Sequence, residues 1–263
     1  MTAVPLAGRR VLVTRATYQA GNLSEGLRAL GAEPVEVPVI EIQPPQDFAP
    51  LDRALTELAN PLATYGWLIL TSANTVHALA DRATALGLNL SAISQLNVAA
   101  VGESTATAAR GEGLRITLVP ETYIAESLAS SLAGQVAGRR VLLARAAVAR
   151  DVIPDALRAA GATVDVVDAY RNVMPESAPA LLREAMQKGI DAAAFTSSST
   201  VTHLADAARH AGITFPFAGV AAISIGPITS ATLRELGWEP AVEATQSDVS
   251  GLIQAVIHAL APR

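Results

Sequence analysis

Gly8-Arg-Arg-Val-Leu-Val-Thr-Arg15 returns 130 positions later as Gly138-Arg-Arg-Val-Leu-Leu-Ala-Arg145. Each copy is a short apolar run ending in polar residues, which predicts a strand. The first copy leads into Leu23, Leu27 and Leu30 at helical spacing, then Gly31 as the helix stop, then a second strand region, Pro34–Ile42. The later copy leads into Ile153 and Leu157, Gly161, and a strand over Thr163–Tyr170. Two further echoes keep the order. Leu70-Thr-Ser-Ala-Asn-Thr-Val76 matches Phe195-Thr-Ser-Ser-Ser-Thr-Val201, and Val98-Ala-Ala-Val-Gly102 with Thr105 matches Ala222-Ile-Ser-Ile-Gly226 with Thr229. Units that match in order with nearly constant offset imply an internal duplication. Their strand–turn–helix grammar implies an α/β fold with doubly wound parallel sheets, helices lying on both faces.

Composition narrows the function. The chain has 263 residues, 51% of them hydrophobic, enough for one large core or two ordinary ones. Apolar runs such as Trp67–Leu70 are far shorter than the ~20 residues that span a bilayer. Met1–Arg10 has no apolar stretch of signal-peptide length, so a soluble cytoplasmic protein is expected, with no membrane partner. The absence of cysteine excludes disulfides, thiolate metal sites and cysteine nucleophiles. A net charge of −5 argues against nucleic acid as a partner. Lys188, the only lysine, sits where a helix ends and reads as a solvated cation, not a Schiff-base group. His77, His203, His210 and His258 have no metal-ligand spacing, and no metal is expected. No phosphate-binding glycine loop or nucleophile elbow is present.

What remains are the turns after the strands, where ligands of open α/β sheets bind. They read Thr14-Arg15, Thr71-Ser72-Ala73-Asn74, Gly102-Glu103-Ser104-Thr105, Thr196-Ser197-Ser198-Ser199 and Gly226-Pro227-Ile228-Thr229. Helix N-termini with small residues there suit carboxylates or phosphates. Ser, Thr and Asn are also ordinary N-caps, which explains any single turn equally well. Five consecutive hydroxyl residues, Thr196–Thr200, exceed what a cap needs. Tyr170 is one of few aromatics and falls in a connector. Packing is its plain reading, and weak general-acid duty the functional one.

The chain resembles the uroporphyrinogen-III synthase family along nearly its whole length. The matching text is Val11-Leu-Val-Thr-Arg15 with Gln19-Ala20, Thr71–Asn74, Val101-Gly102 with Thr105-Ala106, Ala169-Tyr170-Arg171, Phe195-Thr-Ser197, and Ile225-Gly226-Pro227 with Thr229. It departs at Ala16, Ala146 and Ala149-Arg150, where relatives often carry Pro, Gly and Gly-Arg. The resemblance implies two flavodoxin-like domains joined by a two-stranded β-ladder: residues 1–34 plus 174–263, and 43–163, with linker strands 35–42 and 164–173. It implies a monomeric lyase that needs no cofactor. That enzyme would close hydroxymethylbilane, a linear tetrapyrrole polycarboxylate, into uroporphyrinogen III with loss of water and inversion of the last pyrrole ring. Tyr170 would be catalytic. Substrate would be held by Thr14, Arg15, Ser72, Ala73, Asn74, Gly102, Thr105, Arg145, Ser197, Ser198, Ser199, Gly226 and Thr229, with the Thr71 and Thr196 turns facing one cleft. Transient contact with the preceding pathway enzyme is a further expectation. The rival reading is a two-lobed cytosolic ligand-binding or regulatory protein.

Overall fold

The computed structural model describes residues 4–60, 62, 64–93, 96–122 and 124–261, apart from the side chains of Tyr18, Gln19 and Ala92. Gln19, quoted above, therefore lies outside the described side chains. The chain opens with β1 (Arg10–Val13), α1 (Thr17–Ala29) and β2 (Glu33–Glu36). Next come β3 (Glu41–Gln43), α2 (Ala49–Leu58), β4 (Tyr65–Leu70), α3 (Ala73–Ala85), β5 (Asn97–Ala100), α4 (Glu103–Gly111), β6 (Ile116–Leu118) and α5 (Ala125–Leu132). A second β–α–β unit follows: β7 (Arg140–Ala146), α6 (Val152–Ala159) and β8 (Thr163–Val173). The remainder is α7 (Ala178–Gln187), β9 (Ala192–Phe195), α8 (Ser198–Ala211), β10 (Ala221–Ser224), α9 (Pro227–Glu235), β11 (Val242–Glu243) and α10 (Val249–Leu260). The chain divides into two compact units, Met1–Glu41 with Val173–Arg263, and Ile42–Asn172.

The discontinuous unit holds a five-stranded sheet of order β11-β10-β9-β1-β2, parallel throughout. β2 lies at the edge, where Pro34 costs no ladder bond. Residues 35–42 do not run as one strand. Val37 and Val39 still donate to Val13 and Thr14, but Pro38 between them has no N–H, and β2 ends at Glu36. At the sheet centre β9 is Ala-Ala-Ala-Phe, fully buried. Alanine is a poor strand former, yet its small side chain lets Leu252 and Val256 of α10 close onto one face. The Gly-Arg-Arg pair works at the amino end of this sheet. Arg9 pairs with Asp191 at 3.0 Å and the Arg10 amide donates to the same carboxylate at 2.7 Å, fastening β1 to the start of β9. Gly31 stops α1 at φ +87°, and Gly161 stops α6 at φ +86°, the left-handed conformation glycine tolerates best.

The continuous unit holds a six-stranded sheet of order β3-β8-β7-β4-β5-β6. Residues 163–170 are in register with β7, so much of the span 164–173 is sheet strand. One face packs Trp67 and Ile69 against Leu128, Leu132 and Leu157 of α5 and α6; the other packs Leu68 and Leu70 against Leu55, Val76 and Leu79 of α2 and α3. Arg140, the repeat equivalent of Arg10, again sits at the amino end. Its guanidinium lies 4.1 Å from the Tyr65 ring centroid and bonds Asp165 and Glu57.

The Tyr65 hydroxyl donates to Asp165 Oδ2 at 2.7 Å. Burial first, then this hydrogen bond and the Asp165 charge, raise its ionisation well above the usual phenol range. The folded state keeps the proton at pH values where unfolded tyrosine, ionising near 10, has released it. The resulting stabilisation is present below about pH 10 and is lost as pH rises further. Urea unfolding at about pH 9 and about pH 11 should show a larger fall in stability for wild type than for Tyr65→Phe. Equal falls would remove Tyr65 from the alkaline response.

Candidate functional site

Both sheets reverse winding direction at one place. In the discontinuous unit β1 connects outward through α1 to β2, while β9 connects the other way through α8 to β10, leaving a crevice between the carboxyl ends of β1 and β9. In the continuous unit β7 leads to β8 and β4 leads to β5, and the crevice falls between β7 and β4. A threonine bridges each crevice. Thr14, fully buried, donates to Ala194 O at 3.1 Å, and Thr71 donates to Ala144 O at 3.5 Å. Thr14 therefore holds the strands in place and does not face a ligand; Arg15, the next residue, is half-buried.

The helices that follow β4, β5, β9 and β10 each carry threonine at the third position: Thr75, Thr105, Thr200 and Thr229, all buried. Thr105 and Thr229 are thus buried behind their helix N-termini. Ser72 and Ser197 are true N-caps, as the plain reading had it. Ser72 Oγ accepts from Thr75 N at 3.1 Å, and Ser197 with Thr200 forms a reciprocal capping box. Beyond the caps, Ala73, Asn74 and Ser199 are half-buried first-turn residues. Ser198 Oγ donates to Ile228 O at 3.3 Å and accepts from Thr232 at 2.8 Å, tying α8 to α9.

The helix N-termini are not equal as anion sites. α4, capped by Gly102, carries its own acid, Glu103, in the first turn. At α9 the Gly226 amide is taken by Ser224 Oγ, and Pro227 has no N–H. A Cβ at Gly226 would stand 2.7 Å from Ser247 Oγ, so that hydroxyl would have to turn away to admit one. α3 and α8, like α1, have neither an acid nor a proline in the first turn, which leaves their dipoles free to act on a carboxylate. Ser224 and Ser247 were not singled out in the sequence; the Ser-x-Gly spacing is the only signal for the first.

Arg145 is turned toward its own loop. Its guanidinium pairs with Asp151 at 2.7 Å and donates to Arg150 O at 3.1 Å, leaving its side chain 13% exposed. Tyr170 joins both of its sequence readings. Its ring is 6% exposed in the core beside Val76 and Leu142, and its hydroxyl stops 3.1 Å from Ser72 Oγ. Among the described residues no cluster of three His, Asp or Glu could hold a metal ion. His203 Nδ1 lies 3.1 Å from Val39 O; His77, His210 and His258 are exposed. Lys188 caps the end of α7 and pairs with Glu184 at 2.6 Å, which lowers that carboxyl's pKa. No described helix is long and apolar enough to cross a membrane. Cavities of about 510 Å³ beside β11 and α10, and about 440 Å³ along α2, are lined by none of the candidate residues, whereas the polar donors converge at the strand ends.

The fold is that of a doubly wound α/β protein, with hydroxyls and helix N-termini gathered at the carboxyl ends of its strands. The profile described as uroporphyrinogen-III synthase HemD matches residues 21–254. A uroporphyrinogen-III synthase of Synechococcus elongatus is 36% identical over 97% of both chains. A putative uroporphyrinogen-III synthase of Methanothermobacter thermautotrophicus is 31% identical over 86% of this chain and 88% of its own. The porphyrin biosynthesis protein HemD of Ruminiclostridium josui is 30% identical over 97% of this chain, which spans 49% of that longer protein. Among solved structures, uroporphyrinogen III synthase of Thermus thermophilus aligns with TM-score 0.68 at 22% identity over 96% of this chain and 99% of that one, a likeness of fold. The Helicobacter pylori enzyme aligns with TM-score 0.64 at 17% identity over 95% and 99%. The chain belongs to the uroporphyrinogen-III synthase family.

Ser197 tests the capping assignment. Ser197→Ala should cost about 1 kcal/mol in denaturant unfolding, and Ser197→Gly only a few tenths. Equal losses would mean that the hydroxyl serves something other than the helix end.

Proposed function

We propose that this chain is a lyase that closes hydroxymethylbilane into uroporphyrinogen III, releasing water and inverting the last pyrrole ring. The observation that carries this reading is 36% identity to a uroporphyrinogen-III synthase over 97% of both chains. The site's chemistry supports it. The substrate is rich in carboxylates, which suit the open N-termini of α3 and α8. Its pyrrole nitrogen supplies the electrons that expel the hydroxyl, so no metal, nucleophile or redox group is required of the protein. Tyr170 donates a proton to the departing oxygen, which leaves as water. The bound carboxylates fix the fold of the chain and disfavour direct head-to-tail closure, so positioning sets the product isomer.

The same proposal includes an internal duplication. With β1 and β2 aligned to β7 and β8, and β9–β11 aligned to β4–β6, both units follow one strand order. Each would draw its β–α–β unit from one copy and its other three strands from the other copy. Passage of the chain between two domains through residues 35–42 and 164–173, a cytoplasmic setting without a cofactor, and delivery of substrate by transient contact with the preceding pathway enzyme complete the reading.

Freshly made hydroxymethylbilane decides the matter. The type III isomer should accumulate, as resolved by chromatography after oxidation to the porphyrin. Accumulation of type I alone would overturn the assignment. Tyr170→Phe should lower kcat about a hundredfold, the lower end of the usual range for general-acid catalysis. Full turnover would remove the tyrosine from the mechanism.

A further inference from the structure

We infer that Ser72 is a positioning residue that acts through Tyr170, its hydroxyl aiming the phenolic proton at the leaving oxygen and supporting the phenolate that forms. The inference rests on the reading of Tyr170 given above. It starts from a string of hydroxyls at the β4–β7 crevice. Tyr170 OH lies 3.1 Å from Ser72 Oγ, Ser72 Oγ lies 3.0 Å from Thr75 Oγ1, and Thr75 Oγ1 lies 3.4 Å from Thr71 Oγ1, which donates to Ala144 O.

Each hydroxyl has one proton to give. Thr71 spends its proton on Ala144, so its oxygen can accept from Thr75. Ser72 Oγ already accepts the Thr75 amide at 3.1 Å. Its own proton then has two destinations, Thr75 Oγ1 or the Tyr170 oxygen. In the first arrangement Tyr170 donates to Ser72 and its proton is parked inside the protein. In the second, Ser72 donates to Tyr170, and the phenolic proton must point away from Ser72. A bound leaving hydroxyl favours the second. Tyr170 is 6% exposed and belongs to the apolar core of the continuous unit, which holds its ring in place, so the phenol does not swing to choose. The serine rotor makes the choice.

The step balances. The phenolic proton passes to the leaving oxygen, the carbon–oxygen bond breaks with its electron pair, and water departs. The pyrrole nitrogen lone pair fills the deficit at carbon. The phenolate accepts hydrogen bonding from Ser72 and lies near the positive end of α3. It regains a proton from the ring position that is deprotonated when the cyclised product recovers its aromatic pyrroles.

Steady-state kinetics on hydroxymethylbilane should be measured for wild type, Ser72→Gly, Tyr170→Phe and the double variant. Glycine is tolerated at an N-cap almost as well as serine, so folding is kept while the hydroxyl is lost; Ser72→Ala serves as a second variant. Ser72→Gly should lower kcat about tenfold, the scale of one hydrogen bond to a group developing charge, with KM changed less than about threefold. In the Tyr170→Phe background the same change should cost less than about twofold. A tenfold loss in both backgrounds, or a loss confined to KM, would overturn action through Tyr170 while leaving the tyrosine's role intact. Full turnover of Tyr170→Phe would overturn both.

Discussion

The parallel pairing of β1 with β9, Val11 opposite Ala192, sets the rest of the discontinuous unit. These strands are joined by no local connection, and each sends its helix to a different face. Only at such a reversal do two strand ends part enough to admit a ligand. The pair is fastened at both ends: Asp191 receives Arg9 and the Arg10 amide at the start, and Thr14 donates to Ala194 at the finish. In the other unit β7 and β4 stand in the same relation. Arg140 with Asp165, Glu57 and Tyr65 secures the amino end, and Thr71 bridges to Ala144 at the other.

With the strand ends fixed, the site is built from backbone and small hydroxyls. That economy fits a reaction driven by the substrate's own electrons. A buried carboxylate or imidazole would compete with an acidic substrate for the helix dipoles. α4, with Glu103 in its first turn, shows what such competition looks like. α3 and α8 are kept clear. The Tyr170 phenol is held by apolar packing and ends at the Ser72 hydroxyl.

The apolar runs of β1 and β7, the glycine stops of α1 and α6, and the hydroxyl-rich turns were legible because each depends on local chemistry. β9 was legible only through its echo of β4, since alanine runs lean toward helix. Pro38, which divides the span 35–42, acts through a missing donor that an apolar pattern does not register. Hydroxyl residues announced the turns but not their direction. Thr14, Thr105 and Thr229 are buried, and only three positions separate a helix cap from the buried threonine behind it. Arg145, which the family resemblance placed among the substrate-binding residues, pairs with Asp151 across a turn whose shape no pattern specified. The approach of Tyr170 to Ser72 joins residues 98 positions apart and follows from sheet order alone.

The division of the chain also orders its birth. Residues 42–172 are contiguous, so their sheet can close as soon as that stretch has left the ribosome. β1 and β2 were made earlier but cannot finish their sheet until β9 arrives, roughly 150 residues after β2. At synthesis rates of about 5–20 residues per second, that interval is on the order of ten to thirty seconds. Throughout it, Val11 and Val13 have a strand on one side only. The first β–α–β unit is thus translated well before it can be fully buried, and chaperones have that window in which to guard an unpaired edge.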